Sequence, residues 1–254
     1  MNLVNEFIKY KWQAKGRHGI HSPFVYDFIG NVLQTSFEGQ ELNVISSYTH
    51  FLKKCHDEIE FQELGAGSKL LSNKRRVSSM YSLSSSRGKF GKLLYALVSH
   101  YSPKQIVEFG SSLGVGTLHL ALSNPLAKIQ SIEGCSNTHA FTVKSFPKKL
   151  SNVEFINSTF EEFCQQKSES PIDLLFIDGH HDGKYLLTYL DQLNPRITEN
   201  TIVVLDDIRW SSSMLETWNK LVADKKYHVS IDLFRMGILL KKPDQVKQHF
   251  ILRY

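Results

Sequence analysis

Residues 105–133, reading QIVEFGSSLGVGTLHLALSNPLAKIQSIE, constrain the fold more than any other part of the chain. They open as an apolar strand (Ile106, Val107, Phe109) and break into a turn bearing Gly110, Gly114 and Gly116. They then continue at helical spacing through Leu118, Leu120, Ala121 and Leu122. A second apolar run, 129–132, ends on Glu133. That order describes half of a nucleotide-binding unit, in which glycines let the backbone approach a ligand and the following helix offers its first amides. An acid at the tip of the second strand is placed to accept hydrogen bonds from both hydroxyls of a ribose.

The alternation continues downstream. VEFIN at 153–157, IDLLFID at 172–178 and TIVVLDD at 201–207 are short, nearly continuous apolar runs, as strands covered on both faces tend to be. Segments 137–146, 160–166, 185–193 and 213–222 have helical length and spacing. The rhythm then changes to two strands a few residues apart, YHVSIDLF and MGILLKK, with 235–237 in the turn. The expected fold class is α/β: a Rossmann-like doubly wound sheet, mostly parallel, with a C-terminal antiparallel hairpin strand near its edge. A helix over 90–98 leads into the first core strand.

Upstream, residues 1–60 read as mainly helical, with Phe7, Ile8 and Trp12, then Phe24, Val25, Phe28, Ile29, Val32 and Leu33 at three- and four-residue steps. Pro23 suits a first helical turn with Ser22 as its cap. The joining segment KGRHGIHSPF is either a substrate-contacting loop using His18 or His21 or a plain capped connection. The division expected is a helical N-terminal extension and basic loop over 1–89 and a ligand-binding domain over 90–254. Residues 62–68, QELGAGS, also carry an acid and glycines (Glu63, Gly65, Gly67), but no apolar helix and acid-tipped strand follow them. They and the stretch after them read as a loop, where Arg75, Arg76 or Arg87 clamp an acidic substrate group or simply face solvent.

With 254 residues, 41% of them hydrophobic, the chain can bury one large α/β core. Cys55, Cys135 and Cys164 are odd in number and widely spaced, which suggests buried thiols in a reducing compartment rather than a disulfide framework. The N-terminal MNLVNEFIKYKWQAKG carries Glu6, Lys9 and Lys11 where a secretory signal needs an unbroken apolar core, and no run reaches the roughly 18 apolar residues of a membrane span. A cytoplasmic protein with no membrane partner is expected. The net charge of +5 is concentrated in Lys69, Lys74, Arg75, Arg76, Arg87, Lys89 and Lys92, with no acid among them. Such a run attracts an anionic substrate or nucleic acid, or is a solvated face. Aromatic residues for base stacking are sparse within it (Tyr81, Phe90), which argues against nucleic acid.

In order and spacing, VEFGSSLGVG, the acid in SIEG, FIDGHH and VVLDD resemble the class I S-adenosylmethionine-dependent methyltransferases, most of all the small-molecule O-methyltransferases related to catechol O-methyltransferase. The resemblance covers roughly residues 90–242. It implies S-adenosylmethionine as cofactor, with Glu108 near its amino-acid end and Gly110, Ser111 and Gly114 lining its methionine and ribose portions. Glu133 and the adjoining Gly134 would hold the ribose, Ser158 and Thr159 would border the adenine, and Asp178 would complete the set. Where the family often has a serine or threonine second after the loop glycine, this chain has Gly116, and the resemblance puts the cofactor-contacting hydroxyl on Thr117 beside it. In metal-dependent members, acids ending the fourth and fifth strands bind magnesium, and Asp178, Asp206 and Asp207 fall on those positions, Asp207 in place of an asparagine. Oxygen donors there suit a hard cation such as Mg2+ that lowers the pKa of a substrate hydroxyl.

The family's general base is a lysine three places after the fourth-strand aspartate; here that place holds His181, with Lys184 the nearby alternative. A histidine can take a hydroxyl proton near neutral pH. His180 and His181 alternatively pack or cap the next helix, and Trp210 either walls an aromatic substrate or fills the hairpin side of the core, the second being favoured. The implied function is O-methylation of a small molecule, with a homodimer compatible and oligomeric state open. Two other readings stand beside it: an NAD-dependent Rossmann-like enzyme, and a nucleic-acid methyltransferase using residues 69–92. The catalytic loops of the latter type (NPPY, DPPY) are missing after the fourth strand, where FIDGHH stands.

Overall fold

A computed structural model describes residues 2–35, 39–61, 73–84 and 86–254. Helices α1 (Leu3–Gln13), α2 (Pro23–Phe28) and α3 (Gln40–Lys54) precede a hairpin of β1 (Glu58–Phe61) and β2 (Asn73–Arg76), then α4 (Val77–Leu83) and α5 (Lys89–Tyr101). Strand and helix alternate from there: β3 (Gln105–Phe109), α6 (Val115–Ser123), β4 (Lys128–Glu133), α7 (Ser136–Ser145), β5 (Val153–Asn157), α8 (Phe160–Gln165), β6 (Ile172–Ile177), α9 (Gly183–Gln192), β7 (Ile197–Leu205) and α10 (Ser212–Ala223). Strands β8 (Val229–Asp232), β9 (Gly237–Leu240) and β10 (Gln248–Ile251) close the chain. The eight-stranded mixed sheet has the order β10-β8-β9-β7-β6-β3-β4-β5, and the short β1-β2 hairpin is a separate sheet.

The chain divides into two compact units, Met1–Gln34 with Gln105–Val107 and Cys164–Tyr254, and Thr35–Lys104 with Glu108–Phe163. In the first, β6 and β7 pair in parallel, β9 is antiparallel to both β7 and β8, and β10 lies parallel to β8. This is the expected parallel sheet with an inserted antiparallel strand. Every residue of β9 is buried, as a strand flanked on both edges and both faces must be. Strand β7 starts at Ile197 rather than at 201, a start hidden from the sequence because Thr198, Glu199 and Asn200 are not buried and carry no apolar signal. Strand β10 was not expected at all: it is a short edge strand with Gln248 and His249 exposed and Phe250 and Ile251 partly buried, followed by a bridge between Leu252 and Lys15 of the N-terminal segment. Ser22 caps α2 through the Val25 amide and Pro23 occupies its first turn, as expected; the helix then runs on as a π-helical turn, Ile29–Leu33.

In the second unit β4 and β5 pair in parallel, and α3, α4 and α6 share one core of Ile45, Tyr48, Leu52, Ile59, Val77, Met80, Leu113, Val115, Leu118 and Phe146. The Tyr48 hydroxyl donates to the Leu113 carbonyl at 2.8 Å, so α3 packs directly on the glycine turn. The stretch 69–89, expected as loop, instead contributes β2, paired antiparallel with β1, and α4. Its strand is invisible in sequence because Lys74, Arg75 and Arg76 are all exposed, so nothing alternates. Arg75 lies over the Phe61 ring at 4.7 Å, and Arg87 over that of Tyr81 at 5.4 Å. Residues 62–68 and Lys69 lie outside the described residues.

Candidate functional site

The glycine turn is built by backbone geometry. Strand β3 is buried from Ile106 to Phe109, and the amides of Gly110 and Ser111 both donate to the Ile132 carbonyl, at 2.9 and 3.1 Å, which locks the turn to the end of β4. Gly110 and Gly114 have φ of 98° and 70°, in the region that favours glycine. At Gly114 a Cβ would also stand 3.0 Å from side-chain atoms of Phe146 and Thr142, so a side chain there is strained by its φ and makes those neighbours give by a few tenths of an ångström. Helix α6 starts immediately after it with no side-chain cap, leaving its N-terminal end to backbone groups alone.

Glu133 ends β4 with both carboxylate oxygens engaged: Oε2 accepts from the Ser112 amide and Oε1 from the Cys135 amide, each at 2.9 Å. Burial raises its pKa, and these two amides oppose that rise. Each oxygen retains a second acceptor site, so the carboxylate is fixed in orientation and still able to accept from hydroxyls. Gly134 follows at the strand end, and the Glu133 carbonyl takes donors from Asn157 Nδ2 (2.8 Å) and the Ser158 amide (3.2 Å).

Glu108 is 1% exposed. Its Oε2 accepts from Thr117 Oγ1 at 2.5 Å and Ser131 Oγ at 2.6 Å, and Ser131 in turn lies 2.5 Å from Ser111 Oγ. Burial pushes its pKa up to about 7 against the two hydroxyls, with the nearby Glu133 charge adding to the rise. Thr117, named from the sequence as a cofactor contact, therefore spends its hydroxyl inside the protein. Ser158 and Thr159 are likewise engaged: Thr159 N and Ser158 Oγ both donate to Glu162 Oε2, and the Glu162 amide donates to Thr159 Oγ1. This is a capping box on α8, and its signal was present in the T-x-x-E spacing from Thr159 to Glu162.

The second set of residues lies in the first unit, at the ends of β6 and β7. Asp178 follows β6 and leads into Gly179, His180 and His181, and Asp182 caps α9 by accepting from the Lys184 amide at 2.8 Å. His180, with φ of 48°, places Nδ1 2.6 Å from the Tyr189 hydroxyl, so of the two histidines it is the one that packs on the helix. His181 turns to Asp207, Nε2 to Oδ2 3.9 Å, and its ring lies 5.3 Å from that of Trp210. Trp210, expected to fill the core, is 67% exposed: the Trp210 amide donates to the Asp207 carbonyl in a tight turn that carries the ring outward. Lys184 is exposed in the first turn of α9.

Asp206 is buried beside Asp207, whose φ of 50° is unusual for a non-glycine residue. These acids do not fit a divalent metal. Arg235 Nε lies 3.3 Å from Asp206 Oδ1 and 3.0 Å from Asp207 Oδ1, and its Nη2 lies 3.4 Å from Asp207 Oδ2. Burial disfavours the guanidinium charge, but Asp206, Asp207 and Asp178 together outweigh that and hold its pKa above the ordinary value. Among the described residues, no group of three or more His, Cys, Asp or Glu is arranged to hold a metal ion. Asp178, Asp206 and Asp207, the expected metal set, are instead faced by an arginine from the β8-β9 turn, which brings positive charge to them. Sequence reading missed Arg235 because its proximity to β7 depends on the hairpin folding back, and a single basic residue in a turn carries no signal.

Residues 107–208 match a family model described as a methyltransferase domain. Among solved structures, the chain is similar to a methyltransferase of Podospora anserina bound to S-adenosylhomocysteine (SAH), with 15% identity and a TM-score of 0.60 over 88% of this chain and 97% of that one. It is similar to an O-methyltransferase from Bacillus cereus in complex with SAH, at 15% identity and TM-score 0.54 over 86% and 97% of the two chains. A putative caffeoyl-CoA O-methyltransferase from Staphylococcus aureus matches at 14% identity and TM-score 0.53 over 59% and 82%. At these identities the likeness is one of fold.

Proposed function

We propose that the protein is a class I, S-adenosylmethionine-dependent methyltransferase that transfers a methyl group from S-adenosylmethionine to an oxygen of a small molecule, a reading supported by the match of residues 107–208 to a methyltransferase-domain model. In this reading residues 90–254 carry the catalytic machinery and residues 1–89 are an N-terminal extension whose described part holds α1–α4 and the β1-β2 pair. The observation that carries the reading is Glu133, a carboxylate fixed by the Ser112 and Cys135 amides at the tip of β4, next to a tight turn in which a side chain at Gly114 would be strained. In this reading Glu133 and Gly134 hold the ribose, the backbone of Gly110, Ser111 and Gly114 lines the methionine and ribose, and Ser158 and Thr159 border the adenine. Glu108 and Thr117 act from inside, as a buried brace under the amino-acid end, and Asp178 completes the cofactor set.

S-adenosylmethionine supplies a methyl group on a positively charged sulfur. With the cofactor bound, His181 would accept the proton of the acceptor hydroxyl as that oxygen takes up the methyl group. Asp207, 3.9 Å from His181 Nε2, stabilises the imidazolium that results. Lys184 is the alternative proton acceptor. Trp210 offers an exposed ring beside His181, which suits a flat acceptor. The acceptor in this reading is a small molecule; among the described residues no helix is long and apolar enough to cross a membrane.

Calorimetric titration tests the reading directly. SAH and S-adenosylmethionine should bind with one site per chain and NAD should not. Binding of NAD with no response to SAH turns the assignment to the dehydrogenase alternative. A steep salt dependence of oligonucleotide retention on filters supports the nucleic-acid alternative instead.

A further inference from the structure

We infer that Arg235 is the resident cation of the aspartates ending β7, standing where a divalent ion would be shared, and that the protein neither binds nor needs such an ion. The need for a cation is set by burial: the Asp206 side chain is fully inaccessible, and a buried carboxylate without a partner is strongly destabilising. A hard metal would bridge oxygens of Asp206 and Asp207 at roughly 2.0–2.6 Å. Arg235 Nε lies within ion-pair distance of the Oδ1 atoms of those same two residues, at 3.3 and 3.0 Å, so guanidinium and metal ion compete for one gap and repel each other.

Arg235 is also held there by its surroundings. Its carbonyl accepts from the Ile208 amide at 2.9 Å, and its amide donates to the Leu233 carbonyl at 2.9 Å, so the turn is tied to the chain just after Asp207. The preceding Phe234, at φ 71°, keeps its ring against Phe7 and Tyr10 of α1 (centroids 5.0 and 5.2 Å) and under the Arg209 guanidinium at 5.2 Å. Arg209 clamps Asp232 with two bonds of 2.9 and 2.7 Å and donates to the Phe234 carbonyl at 2.8 Å. The N-terminal helix thus acts, through Phe234, to place the cation. Arg235 is a positioning residue: its Nη2 and His181 share Asp207 Oδ2, so the arginine orients the carboxylate that faces the proposed base.

The claim that no metal is needed rests on the methyltransferase reading, whereas the claim that none is bound does not. The test therefore measures Mn2+ binding from the electron-paramagnetic signal of the free ion, alongside SAH titration, on the full chain and on R235A, R235Q and R235K. Wild type and R235K are expected to leave the free Mn2+ signal unchanged. R235A and R235Q should take up one Mn2+ per chain at least about tenfold more tightly than wild type, an affinity abolished by adding D206N. Stoichiometric Mn2+ binding by wild type that D206N removes overturns the inference, and so does a folded R235A or R235Q with no gain in Mn2+ affinity. The wild-type measurement stands even if R235A does not fold. Loss of SAH binding by wild type would strike the proposed function and leave the metal measurements to decide the role of Arg235.

Discussion

Replacing Glu133 by glutamine tests the cofactor assignment at its centre, because the change keeps the shape and removes only a charge and one acceptor. In the native protein the two carboxylate oxygens take the Ser112 and Cys135 amides at 2.9 Å each. A glutamine can accept only one of them and must turn its NH2 toward the other, leaving a backbone donor facing a donor. That mismatch costs about 1–3 kcal/mol of folding stability, offset in part because burial already raises the pKa of Glu133 and so makes its charge costly to keep. Affinity falls further, since a hydroxyl hydrogen bond to a charged acceptor contributes about 1.5–3 kcal/mol. One such loss, at 1.4 kcal/mol per factor of ten, is a roughly 10- to 150-fold weaker SAH Kd. Calorimetry at 25 °C measures the Kd, and urea unfolding of the same preparation measures the stability. A folded E133Q that binds SAH within about threefold of wild type removes the ribose from this carboxylate and refutes the reasoning, since even one lost charged bond should exceed that.

Glu108, with its pKa raised by burial to about 7, binds a proton in the folded state that it releases near 4.5 when unfolded; folding stability therefore falls as pH rises from about 4.5 to 7, by on the order of 3 kcal/mol, and urea melts of E108Q across that range should lose this slope. Gly114→Ala should destabilise the fold by about 1–3 kcal/mol, from its φ of 70° and the close Phe146 and Thr142 contacts; a melt within about 0.5 kcal/mol of wild type counts against the tight turn. His181→Ala should lower turnover about 10²- to 10⁴-fold with SAH affinity unchanged, while Lys184→Ala leaves both as they are; the opposite ranking, read from SAH release over an acceptor panel, makes Lys184 the base. Arg209→Met strands the Asp232 carboxylate, which is 1% exposed, and should cost about 3–5 kcal/mol in chemical denaturation; a neutral result means that Asp232 is not held by that pair.

The residues that bend the chain around a nucleotide were legible because their signals are local. Gly110 and Gly114 stand where φ is positive, β5 falls at 153–157 as read, and β3, β4 and β6 are short, mostly apolar runs, interrupted at Glu108, at Gln130 and Ser131, and at Asp173. Ser22 and Pro23 opened α2 for an equally local reason. Strands β2 and β10 were not legible: their side chains face solvent or only half leave it, so they exist through pairing with β1 and β8 and not through any pattern of their own. The acids at 178, 206 and 207 could be placed at strand ends from sequence, but the charge that faces them could not. Arg235 reaches Asp206 and Asp207 only after β9 inserts beside β7 and α1 packs on Phe234, contacts between residues far apart in the chain. Sequence determined where backbone must turn and which stretches must be buried, since sterics and hydration act on neighbours; tertiary structure alone decided which ion neutralises the aspartates, since that depends on who arrives from elsewhere.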